Sequence, residues 1–179
     1  MTSYCRTCGS PLIKQIPDMD THERMVCNTC GYIDYINPNI ITGVLPVYHD
    51  TILLCKRAID PQKNRWTIPS GFMECNETVE AGALREAYEE AGITPTIRHL
   101  YCLYNLPHVG QVYLLYLADL SSSDTDPGIE TLETHFFQFS DIPWADIAFS
   151  SVSFALKHYV SDYPTQQFPF RTGTYMPES

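Results

Sequence analysis

The segment at residues 71–93 reads GFMECNETVEAGALREAYEEAGI and contains a turn-rich loop followed by the clearest helical pattern in the chain. Asn76 or Thr78 can cap the start of a helix here, because short polar side chains satisfy the free amides of a first turn. Gly92 stands where helices commonly end. We therefore predict a helix from about Thr78 to Ala91, and the rest of the fold is predicted around it.

Three glutamates share one face of this predicted helix, since Glu86, Glu89 and Glu90 occupy positions i, i+3 and i+4. Two carboxylates about 6 Å apart repel each other by roughly 0.7 kcal/mol in water and about 3 kcal/mol at an intermediate dielectric. A hard divalent cation among them would remove that repulsion, and oxygen ligands suit Mg²⁺ or Mn²⁺. Such ions neutralise phosphate oxygens and acidify bound water, as pyrophosphate hydrolysis requires. A solvated acidic helix face is the alternative interpretation.

The spacing of the whole segment resembles the Nudix box of the Nudix hydrolase family. All of its fixed glycine and charged positions are present: Gly71, Glu77, Arg85, Glu86, Glu89, Glu90 and Gly92, followed by Ile93. The sequence departs from the family at Ala87, where a larger aliphatic residue is usual, and at Ser70, which replaces a common glycine.

The resemblance implies a role for each of these residues. Glu86, Glu89 and Glu90 would bind Mg²⁺ or Mn²⁺, joined by the carbonyl of Gly71. Arg85 and Glu77 would form an ion pair that locks the loop to the helix. Family members often place another carboxylate on a late loop, as base or extra ligand, and the candidates for that catalytic role here are Glu130 and Glu133.

A second metal site is predicted at the N-terminus, where two Cys-x-x-Cys pairs stand close together in the sequence: Cys5, Cys8, Cys27 and Cys30. This spacing is typical of a zinc ribbon, and a segment this short cannot bury enough surface to fold without the metal. Four thiolates leave no open coordination position, so the zinc is predicted to be structural. Two disulfides, free thiols or a redox role are the alternatives. Asn37-Pro38-Asn39 marks the boundary, so we predict a zinc ribbon at 1–36 and a Nudix hydrolase domain at 37–179.

The remaining segments predict an α/β (α+β) fold, a Nudix α/β/α sandwich with a mixed sheet and helices on both faces. Short aliphatic and β-branched runs predict strands on both sides of the central helix, and a closing helix is predicted at Ser151 to Val160. The predicted strands are Ile40 to Tyr48, Thr51 to Arg57, Trp66 to Ile68, Ile97 to Leu106, Gln111 to Leu120 and Glu133 to Phe139. The segment from Asp162 onward is either an ordered arm or frayed.

Charge and hydropathy restrict the partners of the protein. The formal net charge is −10, from 21 acidic and 11 basic residues, so a nucleic acid is a poor default partner. Apolar runs are far shorter than the roughly 20 residues that span a bilayer. No secretory signal is evident at the start of the sequence, and paired cysteines in a reducing compartment favour metal over disulfide. We expect a cytoplasmic protein with a small-molecule nucleotide substrate, no membrane partner, and a homodimeric assembly of the kind common in related hydrolases.

A zinc ribbon directly before a Nudix domain is similar to two groups of hydrolases. The NADH pyrophosphatases carry a Pro- and Trp-rich signature after the box, which the stretch at 93–111 lacks. The resemblance is closer to a plant-type group that cleaves FAD and ADP-ribose, through segments at 54–57, 106–111 and 148–151. It implies a Mg²⁺-dependent pyrophosphatase that releases AMP and a phosphate ester.

Two alternatives stay open, a nucleoside triphosphate pyrophosphohydrolase and a regulatory or nucleic-acid-binding module without catalytic activity. Three aromatic side chains, Phe72, Tyr113 and Tyr116, could stack on a flat ring of a substrate, although strand packing is the more common use of each.

Overall fold

The computed structural model describes residues 3–177, and the chain divides into two compact units, Met1–Asn37 and Pro38–Ser179. The first unit is a three-stranded antiparallel sheet of β1 (Ile13–Gln15), β2 (Arg24–Val26) and β3 (Ile33–Asp34), in that order. Its buried apolar cluster consists of Cys5, Leu12 and Cys27, with Met25 and Tyr32 packed against it. A core this small leaves the unit dependent on a further stabilising interaction.

The second unit is built on a mixed eight-stranded sheet. Its main path runs in the order β10-β5-β4-β9-β8-β11, with β6 paired to β5 and β7 paired to β4. The strands are β4 (Asn39–Tyr48), β5 (Thr51–Arg57), β6 (Trp66–Thr67), β7 (Ser70–Phe72), β8 (Thr96–Leu106), β9 (Gln111–Asp119), β10 (Thr131–Gln138) and β11 (Arg171–Thr174). The central pair β4 and β9 is parallel, whereas β4 pairs with β5 and β8 pairs with β9 in antiparallel hairpins. The predicted mixed sheet is confirmed.

Both faces of the sheet are apolar. Successive side chains on a strand point to opposite faces of the sheet, so a strand that is apolar throughout contributes to a core on each side. On β5, Ile52 and Leu54 belong to one buried cluster, and Leu53 and Cys55 to another. The first cluster includes Val152, Ala155, Leu156 and Tyr159 of α2 (Ser150–Asp162). The second cluster includes Ala83, Ala87 and Ala91 of α1 (Val79–Ala91). The two helices therefore cover the two faces of the sheet, as the sequence predicts.

Small residues determine how closely α1 approaches the sheet. Ala87, the departure from the family pattern, is fully buried in the second cluster, so a larger aliphatic side chain would push the helix away.

Thr78 is the observed N-cap: its hydroxyl accepts a hydrogen bond from the amide of Ala81 at 3.1 Å. Gly92 ends the helix in the left-handed conformation. Both ends of the predicted helix are thus observed to within one residue.

Residues 163–174, which follow α2, form an ordered arm. Asp162 is buried and accepts hydrogen bonds from the Tyr101 hydroxyl at 2.8 Å and from Arg171 at 2.5 Å. β11 then pairs in parallel with β8, and the Phe168 ring stacks on Tyr159 at 5.1 Å. Within residues 3–177, none of the helices combines the length and the apolarity needed to cross a membrane.

Candidate functional site

The candidate site is an open cavity of about 980 Å³ in the second unit. One wall is the acidic face of α1, with the backbone of β7 beside it. The other walls come from the end of β5, from the turn between β8 and β9, and from the loop before β10. Ligand cavities of proteins commonly measure about 300–1,000 Å³, so this one has the size for a large nucleotide.

The three helix glutamates lie on the wall of this cavity in different environments. Glu86 and Glu90 are buried, with 9% and 8% of their surface exposed, whereas the side chain of Glu89 is 57% exposed. The backbone of β7 comes directly against Glu86, since a Cβ atom at Gly71 would lie 2.5 Å from the carboxyl carbon of Glu86. A side chain at residue 71 would therefore displace the Glu86 carboxyl group from its place against β7.

Burial raises the pKa of two of these carboxyls. It raises the pKa of Glu90 to about 8, assisted by the negative charges of Glu86 and Glu130 and opposed by an N–H donated from Ser70 at 3.1 Å. Burial likewise raises the pKa of Glu86 above its usual range. A cation bound beside Glu90 would favour its ionised form, and clustered carboxylate oxygens are the ligands that Mg²⁺ and Mn²⁺ prefer. The donor set therefore fits a hard divalent cation.

Arg85 links the helix to the loop before it. Its guanidinium donates two hydrogen bonds to Glu77, at 3.1 and 2.8 Å, and one to the carbonyl of Phe72 at 3.1 Å. It also donates to Glu86 at 2.7 Å and to Glu89 at 3.0 Å. The two hydrogen bonds from Arg85 to Glu77 lower the pKa of Glu77 to about 2. The Glu77–Arg85 pair therefore stays charged at all ordinary pH values.

The two late-loop candidates are placed differently. Glu130 lies on the cavity wall together with the helix glutamates. Glu133 does not line the cavity; it follows a register shift in β10 and forms an ion pair with Lys56 at 2.8 Å. The structure thus brings Glu130 into the site and leaves Glu133 on the strand surface beside it.

Arg57 and Phe149 line the cavity although the sequence pattern did not single them out as site residues. The Nε of Arg57 donates to the carbonyl of Pro61 at 2.8 Å, and its guanidinium lies 5.1 Å from the centre of the Phe149 ring. Within residues 3–177 its terminal N–H groups have no hydrogen-bond partner, whereas those of Arg85 are all engaged. Both residues lie in the segments at 54–57 and 148–151 that carry the resemblance to the plant-type group, and this was the available signal; it does not indicate that their side chains face a cavity.

Of the three aromatic side chains considered for stacking on a substrate, two line the cavity and one does not. Phe72 is 55% exposed and lines the cavity, and Tyr113 lines it while being almost fully buried. Tyr116 packs against the cluster beneath α1 and is not part of the cavity wall. The exposed ring of Phe72 can therefore stack on a ring of the substrate, whereas Tyr116 contributes to the packing beneath α1.

The four cysteines of the first unit form a compact group, with their sulfur atoms all within 4.8 Å of one another. The Sγ atoms of Cys5 and Cys30 are 3.6 Å apart, and those of Cys8 and Cys27 are 3.4 Å apart. Tetrahedral Zn²⁺ with bonds of about 2.3 Å requires sulfur separations near 3.8 Å, so the group fits zinc. All four are free thiols rather than disulfides.

The local backbone explains why the four thiols converge. In each Cys-x-x-Cys turn the following glycine donates its amide to the carbonyl of the first cysteine, Gly9 to Cys5 and Gly31 to Cys27, both at 2.9 Å. The two turns are therefore equivalent, and together they present two pairs of sulfurs to one point.

Comparison with known proteins agrees with this geometry. The profile of the NUDIX domain matches residues 38–155, and that of the Nudix N-terminal zinc ribbon matches residues 3–36. An ADP-ribose pyrophosphatase from Methanocaldococcus jannaschii is 30% identical over 61% of this chain and 67% of its own length. An NAD-capped RNA hydrolase, NudC, from Photobacterium profundum is 29% identical over 82% of this chain. The chain spans only about half the length of that second relative, 50%.

Two solved structures are similar in fold. A NUDIX hydrolase from Nitrosomonas europaea superposes with a TM-score of 0.93 at 45% identity, covering 97% of this chain and 98% of that one. The NUDIX domain of Shewanella oneidensis NrtR, solved with ADP ribose, has a TM-score of 0.63 at 19% identity, covering 71% of this chain and 90% of that one. The second similarity concerns the fold alone.

Proposed function

This chain belongs to the Nudix family, and from that premise we propose that it is a Mg²⁺- or Mn²⁺-dependent pyrophosphatase of small nucleoside diphosphate derivatives such as ADP-ribose or FAD. The observation that carries the proposal is the meeting of Glu86, Glu89, Glu90 and Glu130 on the wall of one large cavity. The products would be AMP and a second phosphate ester. A reducing compartment keeps the four thiols available for zinc, so the proposal includes a cytoplasmic location.

The proposed roles follow from the contacts of each residue. Glu86, Glu89 and Glu90, with the carbonyl of Gly71, would hold the divalent cation, which when bound neutralises phosphate charge and lowers the pKa of water. Arg85, fastened to Glu77, holds the loop at residues 72–77 against the helix. The first unit would hold a structural zinc ion through its four cysteines.

Glu130 is the proposed general base. It would take a proton from the attacking water as the new P–O bond forms at one phosphorus and the bond to the bridging oxygen breaks. Its exposure on the cavity wall keeps its carboxylate accessible to water, in contrast to the buried Glu86 and Glu90.

Charge distinguishes small dinucleotides from a capped RNA chain. The cavity wall carries two arginines, Arg57 and Arg85, against a larger set of carboxylates: Asp60, Glu74, Glu86, Glu89, Glu90 and Glu130. A bound divalent cation can neutralise one diphosphate, but an attached RNA backbone adds a negative charge per nucleotide. The similarity to NudC makes an NAD-capped RNA the second candidate substrate. The excess of negative charge on the cavity wall favours a small dinucleotide over the capped RNA.

The function is tested by a substrate panel with Mg²⁺ and with Mn²⁺. The panel contains ADP-ribose, FAD, NADH, an NAD-capped RNA oligonucleotide and the four dNTPs, with products identified by mass spectrometry. We expect AMP from ADP-ribose or FAD. Release of pyrophosphate from dNTPs without AMP from the dinucleotides would favour a triphosphate pyrophosphohydrolase, and turnover of the capped RNA alone would favour the second candidate.

Arg57→Gln is expected to raise KM for the preferred dinucleotide by about 10- to 100-fold with a smaller change in kcat. The reason is that the terminal N–H groups of Arg57 are free to bind substrate phosphate, and hydrogen bonds to charged groups contribute about 1.5–3 kcal/mol. Steady-state kinetics measure both parameters. Arg65→Gln is the matched control, since Arg65 donates to the carbonyl of Ala145 outside the cavity wall. Equal KM values for the two variants would contradict the assignment.

A further inference from the structure

The loop between β9 and β10 is fastened to the C-terminal end of α1. The amide of Asp126 donates to the carbonyl of Ala91 at 2.9 Å, and the amide of Gly128 donates to the carbonyl of Glu90 at 3.3 Å. The last carbonyls of a helix have no partner within the helix. Here the loop supplies those partners, so its backbone is held against the turn that carries Glu89 and Glu90.

Gly128 makes this contact unusually close. A Cβ atom at residue 128 would overlap the carbonyl oxygen of Glu89 and lie 3.0 Å from its carbonyl carbon. The φ of Gly128 is not in the left-handed region, so a left-handed backbone is not the reason for a glycine here. The contact with the helix is what excludes a side chain at residue 128.

The same loop is fastened again just beyond Gly128. The amide of Thr131 donates to the carbonyl of Gly128 at 3.0 Å, and the carbonyl of Glu130 accepts from the amide of Ala58 at 2.8 Å. Glu130 thus stands between one anchor on α1 and another at the end of β5. Moving the first anchor would move the Glu130 carboxylate relative to the carboxylates of α1.

We propose that Gly128 is a positioning residue that sets the distance between Glu130 and the glutamates of α1, so that catalysis requires residue 128 to have no side chain. The inference rests on the proposed function, because it assigns to Gly128 an effect that passes through Glu130. Any side chain at residue 128 separates the loop from the helix, and a misplacement on the order of 1 Å can lower a rate by on the order of 10²-fold.

The test is a double-mutant cycle with Gly128→Ala and Glu130→Gln. We expect Gly128→Ala to lower kcat by about 10- to 100-fold with KM changed by less than about threefold. Added to Glu130→Gln, it should lower kcat by less than about a further threefold, because the group it positions is already gone. Unchanged kcat in Gly128→Ala, full kcat in Glu130→Gln, or multiplied losses in the double variant would each overturn the proposal.

A second variant covers the case in which Gly128→Ala does not fold. Asp126→Pro removes the amide that donates to Ala91 and places the proline Cδ against the same carbonyl, so it also moves the loop away from the helix without adding an atom at residue 128. Residue 126 is farther from Glu130 in the chain than residue 128 is. We expect a smaller loss of kcat, about three- to tenfold, that also disappears in the Glu130→Gln background. Ser123→Ala, in the exposed part of the same loop, is the control and should keep wild-type kinetics.

Amide hydrogen exchange separates this inference from the proposed function. In Gly128→Ala the amides of residues 126 and 58 should exchange faster than in the wild type, while the amides at the centre of α1 stay protected. If the wild type hydrolyses a different compound of the panel, the cycle is run on that compound. Wild-type exchange rates in Gly128→Ala would refute the anchoring role whichever substrate is used.

Discussion

Glu90→Gln is expected to reduce kcat by about 10³-fold, equivalent to roughly 4 kcal/mol of lost transition-state stabilisation, while the fold is kept. The substitution keeps the shape and the acceptor oxygen that receives the N–H of Ser70. It removes the negative charge that a divalent cation needs. Glu89→Gln should also lower kcat, although the Glu89 side chain is more exposed than that of Glu90.

The same substitution should leave the melting temperature unchanged or raise it. Glu90 is 8% exposed and its pKa is raised to about 8, so on folding at neutral pH it must either take up a proton or bury its charge, a cost that a neutral amide does not have. Lower activity with equal or higher stability is what a functional carboxylate produces, because a structural one would lower both. Glu80→Gln, an exposed glutamate in the first turn of the same helix, is the matched control and should retain full activity. Normal Mg²⁺-dependent turnover in Glu90→Gln would refute the metal assignment.

Cys27→Ser is expected to abolish zinc binding and to unfold the first unit. Cys27 is fully buried, and its sulfur lies 3.4 Å from that of Cys8. Structural zinc contributes about 10–16 kcal/mol in comparable small units, which is more than the small core of this unit can replace. Zinc content by elemental analysis should fall from about one ion per chain to none, since one thiolate of four is lost.

The extent of unfolding in Cys27→Ser is measured by amide exchange. Residues 24–34 should lose protection, whereas α1, in the other unit, should keep it. Cys75→Ser is the control, because Cys75 is an exposed thiol outside the group of four and its variant should keep one zinc ion. One tightly bound zinc in Cys27→Ser would show that the four cysteines do not form the site.

Local patterns in the sequence predicted the parts of the protein that depend on neighbouring residues. The helix from Thr78 to Ala91 was predicted from a capping threonine, a terminal glycine and the spacing of its charges, all of which act within a few residues. The zinc-ribbon cysteines were predicted from two short repeats for the same reason. The strands were predicted from short aliphatic and β-branched runs bounded by turn residues.

Other features depended on residues that are distant in the sequence. Nothing near Glu130 and Glu133 distinguishes them, and only the pairing of β10 with β5 places one on the cavity wall and the other beside Lys56. Arg57 and Phe149 meet because β5 and the start of α2 are brought together across the sheet. Such contacts depend on the whole packing of the unit and leave no local periodicity to detect.

By itself, then, the sequence determined the acidic helix, the four thiols and the mixed sheet, because helix caps, ligand spacing and short aliphatic and β-branched runs are short-range properties of the chain. Only the tertiary structure decided which late carboxylate faces the helix, which arginine is free for a ligand, and why residue 128 has no side chain. The reason is steric: the contact between Gly128 and Glu89 joins two backbones that are far apart in the chain and adjacent only after the sheet has formed.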